Sequence, residues 1–327
     1  MHFRSSVDRV LTWWLLGVLA ALLIALASLA LINRLVYGPQ GQVRAYFAAV
    51  REGDGSKALG ILGARVPDAS AAMLDGDALQ TSFATLKDLS TGAVTVTDGG
   101  RRATVTVTYT LEGQPGSTDF HLHKVGSHWG VFDQWQIDAG ELPTVEITSN
   151  SVEAATLNNT KVAVEGGSRE FAVLYPGSYT VTYESALYTA GPQTVEVTNP
   201  SSEPATLSLS LTPSETAVTS VQQQIKTYLD TCAAQSSLYP TGCPFEYDFS
   251  GRVDGDVTWM VSKYPQPEVT LAGGKWTLSK SSGEAEISFT ELDLYTGKTQ
   301  QVTETVPFTL AGSLTASGES LTFTPAG

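Results

Sequence analysis

A chain of 327 residues is longer than one ordinary core organises, since domains run to about 100–150 residues, so two or three are expected. Asp and Glu number 33 against 19 Lys and Arg, a net charge of −14, and a surface of that sign repels nucleic acid and anionic lipid headgroups. The only two cysteines, Cys232 and Cys243, exclude a four-thiolate metal site, and no cofactor is expected.

From Val10 to Ile32 the chain carries no charged residue and is dominated by Leu, Ala, Val, Ile and Trp, including Leu19, Leu22, Leu23, Ile24 and Leu29. At ~1.5 Å per residue this run spans a ~30 Å hydrocarbon core. Trp13 and Trp14 lie near one end and Tyr37 just past the other, where amphipathic rings prefer the headgroup level. A transmembrane anchor over residues 10–36 is predicted, after a short cytoplasmic tail, residues 1–9. The competing reading is a signal peptide cleaved near Ala27, because Ala25-Leu26-Ala27 fits the small-residue cleavage pattern. Continuation of the run through Leu29, Leu31 and Ile32 favours retention. Arg4 and Arg9 before the span, against Arg34, Arg44 and Arg51 after it, leave the positive-inside rule undecided. The short tail, the single cysteine pair and the Thr/Ser-rich, Lys-poor strands beyond the span instead place the bulk outside. The expectation is a single-pass plasma-membrane protein with a cytoplasmic N-terminus, in contact with the bilayer through residues 10–36.

Beyond Gly38-Pro39, Val43, Tyr46, Phe47 and Val50 recur at helical spacing, the stripe of a helix with one buried face. Ser56 is expected to cap a short helix carrying Leu59 and Leu62, and a weaker helical stretch runs through Leu79, Phe83 and Leu86. From Ala93 the period changes to two. Val94 and Val96 lead to a turn at Asp98-Gly99, then Val105, Val107 and Tyr109 share one face. Phe120 and Leu122 continue the alternation, a turn is expected at Gly126-Ser127, and Trp129, Val131, Trp135 and Ile137 finish it. Helices followed by a meander form an α+β plan, assigned to residues 39–141. Its opening helix, the Gly53-Asp54 break and the closing segment His128-Trp129-Gly130-Val131-Phe132-Asp133-Gln134-Trp135 resemble the nuclear-transport-factor-like, or cystatin-like, cone fold. That fold hosts enzymes, ligand binders and scaffolds alike.

Residues 142–212 show no helical period. Strands are expected at Thr144–Thr148, Lys161–Glu165, Glu170–Leu174, Tyr179–Glu184, Gln193–Thr198 and Thr206–Leu211, a small β-sandwich with a type II turn at Pro176-Gly177. The stretch Phe171 to Val181, with Pro176-Gly177 before Tyr179-Thr180-Val181, resembles a hairpin of small envelope-associated β-modules. A helix then opens with Thr212 as N-cap, Pro213 first and Glu215 third, a capping box, and buries Val218, Val221, Ile225, Tyr228, Leu229 and Cys232. Strands come next around Val257, Trp259 and Val261, then Trp276 and Leu278, Ile287 and Phe289, Val306, Phe308 and Leu310, and Leu321 and Phe323. This second cone-like α+β domain covers residues 213–327. In an oxidising compartment Cys232 and Cys243 are expected to pair, closing a short loop worth roughly 3 kcal/mol on the chain-entropy model; two free buried thiols are the alternative.

One helical span, small β-modules and a terminal cone-like domain together resemble, in domain order, the teicoplanin-resistance-associated family of bacterial cell-envelope proteins. Members usually begin with a cytoplasmic zinc ribbon, whereas nine residues precede the apolar run here, so no functional residue is carried over.

His121, His123 and His128 are the sharpest local candidates for chemistry. Alternation places their imidazoles opposite Phe120, Leu122 and Trp129, where a tripod on Zn²⁺ is conceivable; the competing reading is a solvated strand face. No Gly-x-Ser-x-Gly elbow, P-loop or dinucleotide fingerprint occurs. Asp75 with Asp77, and Asp254 with Asp256, flank glycines and fit turns better than acid–base pairs. Trp129, Trp135, Trp259 and Trp276 fit sheet core better than a ligand pocket. The expectation is a non-enzymatic envelope scaffold contacting a protein or wall partner. The alternatives are a receptor-like module holding a small molecule or glycan in a cone, and a metal-dependent enzyme on the histidines.

Overall fold

The computed structural model describes residues 6–35, 37–128, 132–149 and 152–326. The chain falls into two compact units, Met1–Val181 with Pro192–Ser208, and Thr182–Gly191 with Leu209–Gly327. The stretches read from sequence as the first α+β domain and the sandwich thus lie largely in one unit.

Unit 1 opens with helix α1 (Ser6–Leu35), succeeded by α2 (Pro39–Glu52). Proline at the start of α2 leaves no needed N–H unpaired, and left-handed Gly53 (φ 74°) closes the helix by returning its N–H to Ala49 and Val50 carbonyls. The expected stripe of Val43, Tyr46, Phe47 and Val50 is buried. Helix α3 (Gly55–Leu62) starts earlier than expected: Asp54 is the cap, its carboxylate accepting from the Lys57 N–H at 2.9 Å, and Ser56 lies inside the helix. Helix α4 (Gly76–Ser82) includes Leu79, while Phe83 is its C-cap and Leu86 lies beyond it.

Strands β1 (Lys87–Thr97), β2 (Arg102–Leu111), β3 (Gln114–His128) and β4 (Phe132–Ile137) form an antiparallel sheet in chain order. The β1–β2 turn holds Asp98 and Gly99, both with positive φ. Along β2, Ala103, Val105, Val107, Tyr109 and Leu111 are buried, and α2 packs against β1, β2 and β4. Gly126 and Ser127 do not turn: both belong to β3, where they pair with Gln134 and Asp133. A register shift between Lys124 and Gly126 absorbs Val125 as a bulge and lets the strand run on. Trp129, Gly130 and Val131 lie outside the described residues, as does Arg4.

Eight further strands follow in the chain: β5 (Thr144–Thr148), β6 (Ala154–Leu157), β7 (Thr160–Ala163), β8 (Ser168–Ala172), β9 (Gly177–Glu184), β10 (Tyr188–Val197), β11 (Ala205–Ser208) and β12 (Thr212–Pro213). In unit 1 one sheet has the order β11-β5-β8, with β11 parallel to β5, and another runs β10-β9-β6-β7. Pro176-Gly177 is not a type II turn, because Gly177 lacks the positive φ that turn requires. The glycine is needed for space instead: a Cβ there would come within 3.2–3.3 Å of the Leu174 and Ser82 carbonyls and the Tyr179 hydroxyl.

In unit 2, Thr212 and Pro213 form the short strand β12 beside Thr189 and Tyr188 and do not start a helix. Helix α5 (Glu215–Ala233) is capped by Ser214, whose hydroxyl accepts from the Ala217 N–H at 3.0 Å and donates to the Ala186 carbonyl at 2.6 Å. That double use fixes the start two residues later than expected. Strands β13 (Arg252–Lys263), β14 (Val269–Ala272), β15 (Lys275–Leu278), β16 (Ser281–Leu292), β17 (Thr299–Leu310), β18 (Gly312–Ser317) and β19 (Ser320–Pro325) complete the chain. They assemble as β13-β16-β17 and the hairpins β14–β15 and β18–β19, and α5 packs on β13 and β19. Val221, Ile225 and Leu229 from the helix meet Trp259, Ile287, Phe289 and Phe308 from the strands in one core.

Candidate functional site

The feature with the clearest physical consequence is α1. Its residues Leu11–Asn33 form a 23-residue stretch long and apolar enough to cross a membrane, and no part of its most apolar window is buried in the protein. At ~1.5 Å per residue such a helix reaches roughly 34 Å, beyond the ~30 Å hydrocarbon thickness. Trp13 and Trp14 are 76% and 72% exposed, the rings that would sit at one headgroup level. At the other end the helix is tied into the sheet. The Asn33 side-chain oxygen accepts from the Asp133 N–H at 2.9 Å, and the Tyr37 ring stacks on Phe132 with centroids 4.5 Å apart. Hydropathy marks where the span stops but carries no sign of these two contacts, which join residues 100 apart in the chain in the case of Asn33.

His121, His123 and His128 all lie in β3. The structure gives the first two separate neighbours: His121 Nδ1 is 3.1 Å from the Thr104 hydroxyl, and His123 Nδ1 is 2.6 Å from an Asp138 carboxylate oxygen. Asp138, a carboxylate that orients an imidazole, was not legible from sequence spacing because it comes after the end of β4. The register shift at Val125 lies between His128 and the other two along the strand. Among the described residues, no three His, Cys, Asp or Glu side chains come together in a metal-binding group; the side chain of His128 is not one of them.

The carboxylate pairs have structural work. Asp75 accepts from the Gly55 N–H at 2.8 Å and precedes α4, whose first turn holds Asp77. Asp254 and Asp256 lie in β13 around left-handed Gly255 (φ 87°), at a register irregularity. Trp135, Trp259 and Trp276 are buried, and the Trp259 indole donates to the Ser237 carbonyl at 2.7 Å. A cleft of about 390 Å³ in unit 1 is edged by Pro67, Glu141, Leu142, Glu170 and Ser201. The α2 side of the β1–β4 sheet is filled by Tyr46, Phe47 and Phe120, whose ring centroids lie 5.2–5.8 Å apart. Cys232 and Cys243 form a disulfide with Cα atoms 5.7 Å apart, which suggests an oxidising compartment.

Unit 1 also buries a tyrosine cluster. The Tyr46 hydroxyl donates to the Tyr175 carbonyl at 2.7 Å, and the Tyr179 hydroxyl to the Leu174 carbonyl at 2.5 Å. Burial pushes the Tyr175 phenol up to about 12. Tyr179 is raised further by burial, and Tyr46 is raised by burial and by its neighbours Tyr179 and Tyr175. The folded state therefore keeps protons that the unfolded chain releases near pH 10, so stability falls as pH rises above ~10. Monitored by tyrosinate absorbance, these phenols are expected to ionise only together with loss of near-ultraviolet circular dichroism. Ionisation of all 12 tyrosines near pH 10 with the signal intact would contradict the burial.

No known protein family, characterised protein or solved structure matches this chain.

Proposed function

We propose that this protein is a membrane-anchored, extracytoplasmic scaffold or interaction protein of the bacterial cell envelope, without catalytic activity. Helix α1 crosses the plasma membrane once with its N-terminus in the cytoplasm, and both units stand outside, where they contact a protein or wall partner. The reading resembles the teicoplanin-resistance-associated plan in domain order, with α2 and α5 each serving as the helix of a cone-like domain. The observation that carries it is the apolar stretch Leu11–Asn33, whose most apolar window is not buried in the protein, a surface which water does not tolerate and a bilayer does. The Cys232–Cys243 bridge supports an outside location for the chain beyond α1. Asp75 is taken up in holding the Gly55 N–H, and the α2 side of the β1–β4 sheet is filled by Tyr46, Phe47 and Phe120, which supports a role in surface contact over binding in a cavity.

Reporter fusions test the topology. Alkaline phosphatase joined after Gly327 is expected to be active and green fluorescent protein at the same site to be dark, with the chain remaining in the membrane pellet after carbonate extraction. A fluorescent fusion with inactive phosphatase would reverse the orientation, and release by carbonate would remove the anchor.

A further inference from the structure

The end of the β1–β4 sheet beside the exit of α1 differs in character from the rest of an acidic chain. Strand β1 ends there, β2 begins there, and the β3–β4 hairpin extends beyond both: Arg102 pairs with His123, while β3 runs on to His128. Arg101, Arg102 and Lys124 cluster at this end, against Asp98 and Asp133. Arg101 lies 3.9 Å from Asp98, and Lys124 pairs with Asp133. Arg102 is exposed and has no ion pair among the described residues. Val96 and Val125, at the same end, are 54% and 56% exposed, apolar groups flanked by cations.

The bonds from α1 fix the height of this surface. Asn33 is the last residue of the apolar stretch, so in a spanning helix it stands where hydrocarbon gives way to headgroups. Its side chain holds the backbone of Asp133, and Tyr37 holds Phe132. The end of the β3–β4 hairpin where Phe132 pairs with His128 is therefore held at the headgroup layer, with Lys124 on the neighbouring strand and Arg102 two strands away. Cations at that depth are attracted to anionic lipid, and the attraction decays within a Debye length.

We infer that this end of the sheet, with Arg101, Arg102, Lys124, Val96 and Val125, is a docking surface for anionic phospholipid headgroups of the bilayer in which α1 is embedded. The inference rests on the anchoring reading above. It gives the hairpin a role as a strut: contact with lipid on one side and with α1 on the other limits how far unit 1 can tilt about the helix exit. The acidity of the rest of the chain works in the same direction, because other faces are repelled by the same lipid.

The test is hydrogen exchange of the full chain in nanodiscs of phosphatidylcholine alone and of phosphatidylcholine with about one-third phosphatidylglycerol. Peptides covering residues 94–103 and 124–133 are expected to exchange several-fold more slowly in the anionic discs. The double variant Arg101→Glu/Arg102→Glu, altered at two exposed positions, is expected to lose that difference. Equal exchange in the two compositions for the native chain overturns the inference, as does protection that survives the charge reversal. Exchange across residues 10–32 separates the two levels of argument. If that segment is protected while the sheet end ignores lipid charge, only the docking surface falls. If it exchanges freely, or the chain does not remain with the discs, the anchor falls and the docking surface with it.

Discussion

Replacing Tyr46 with alanine is expected to lower the unfolding free energy of unit 1 by about 3–5 kcal/mol, the range for removing a large aromatic side chain from a core. Tyr46 is 0% exposed and stands where α2, the β1–β4 sheet and the segment after β8 converge. Its ring meets Phe47 and Phe120, Phe120 stacks on Tyr175, and its hydroxyl satisfies the Tyr175 carbonyl. Deleting the ring opens a cavity and leaves that carbonyl without its donor. Tyr46→Phe keeps the ring and removes only the hydrogen bond, so about 1–2 kcal/mol is expected. Since a domain is stable by only ~5–15 kcal/mol, the alanine variant should show a clearly lower urea midpoint and the phenylalanine variant a modestly lower one. Tyr295→Ala, at a fully exposed ring, is the control and should shift stability by less than ~0.5 kcal/mol. If Tyr46→Ala unfolded at the native midpoint, the aromatic junction would not be the keystone of unit 1.

The parts of this fold legible in the sequence are those set by period. The stripe of α2, the Val221, Ile225, Leu229 and Cys232 part of the α5 stripe, where Val218 and Tyr228 are only partly buried, and the alternation along β2 and the first part of β3 come directly from which side chains water excludes. What escaped the period was set by single polar contacts or by small residues. Ser56 and Asp54 both suit an N-cap, and only the reach of the Asp54 carboxylate to Lys57 decides between them. At α5 the cap is Ser214 and not the expected Thr212, fixed by the second bond from Ser214 to Ala186. Strand β6, Ala154-Ala155-Thr156-Leu157, buries only Ala155 and Leu157, too little for a periodic signal. The bulge at Val125 has no signature either, yet it turns an expected hairpin of histidines into one long strand that reaches the helix exit. The apolar helix α1 was the most legible element because its length and composition alone mark it. Its coupling to β4 through Asn33 and Tyr37 was the least legible, since one amide and one ring carry it.

The second large effect concerns the disulfide. Cys232→Ala/Cys243→Ala is expected to cost unit 2 about 2–3 kcal/mol, and reductant should do the same to the native chain. The closed loop spans a separation of 11 residues, short enough that the entropic gain lies toward the lower end. The loop also keeps other ties: Tyr228 donates to the Gly242 carbonyl at 2.7 Å, and Gln235 exchanges hydrogen bonds with Thr241 at 2.8 and 3.2 Å. Those bonds hold the loop when the bridge is cut, so folding should survive and only the midpoint should move, by roughly 1–1.5 M urea for a slope of ~2 kcal/mol/M. Trp259, bonded to the loop at Ser237, reports the transition by fluorescence. Cys232 is buried beside Leu229 and Phe245 whereas Cys243 is only partly buried, so under reducing conditions Cys232→Ala should cost more than Cys243→Ala. The same cysteines bear on location: a chain isolated from its native cells without reductant should carry no titratable thiol, and two free thiols per chain would place unit 2 on the reducing side.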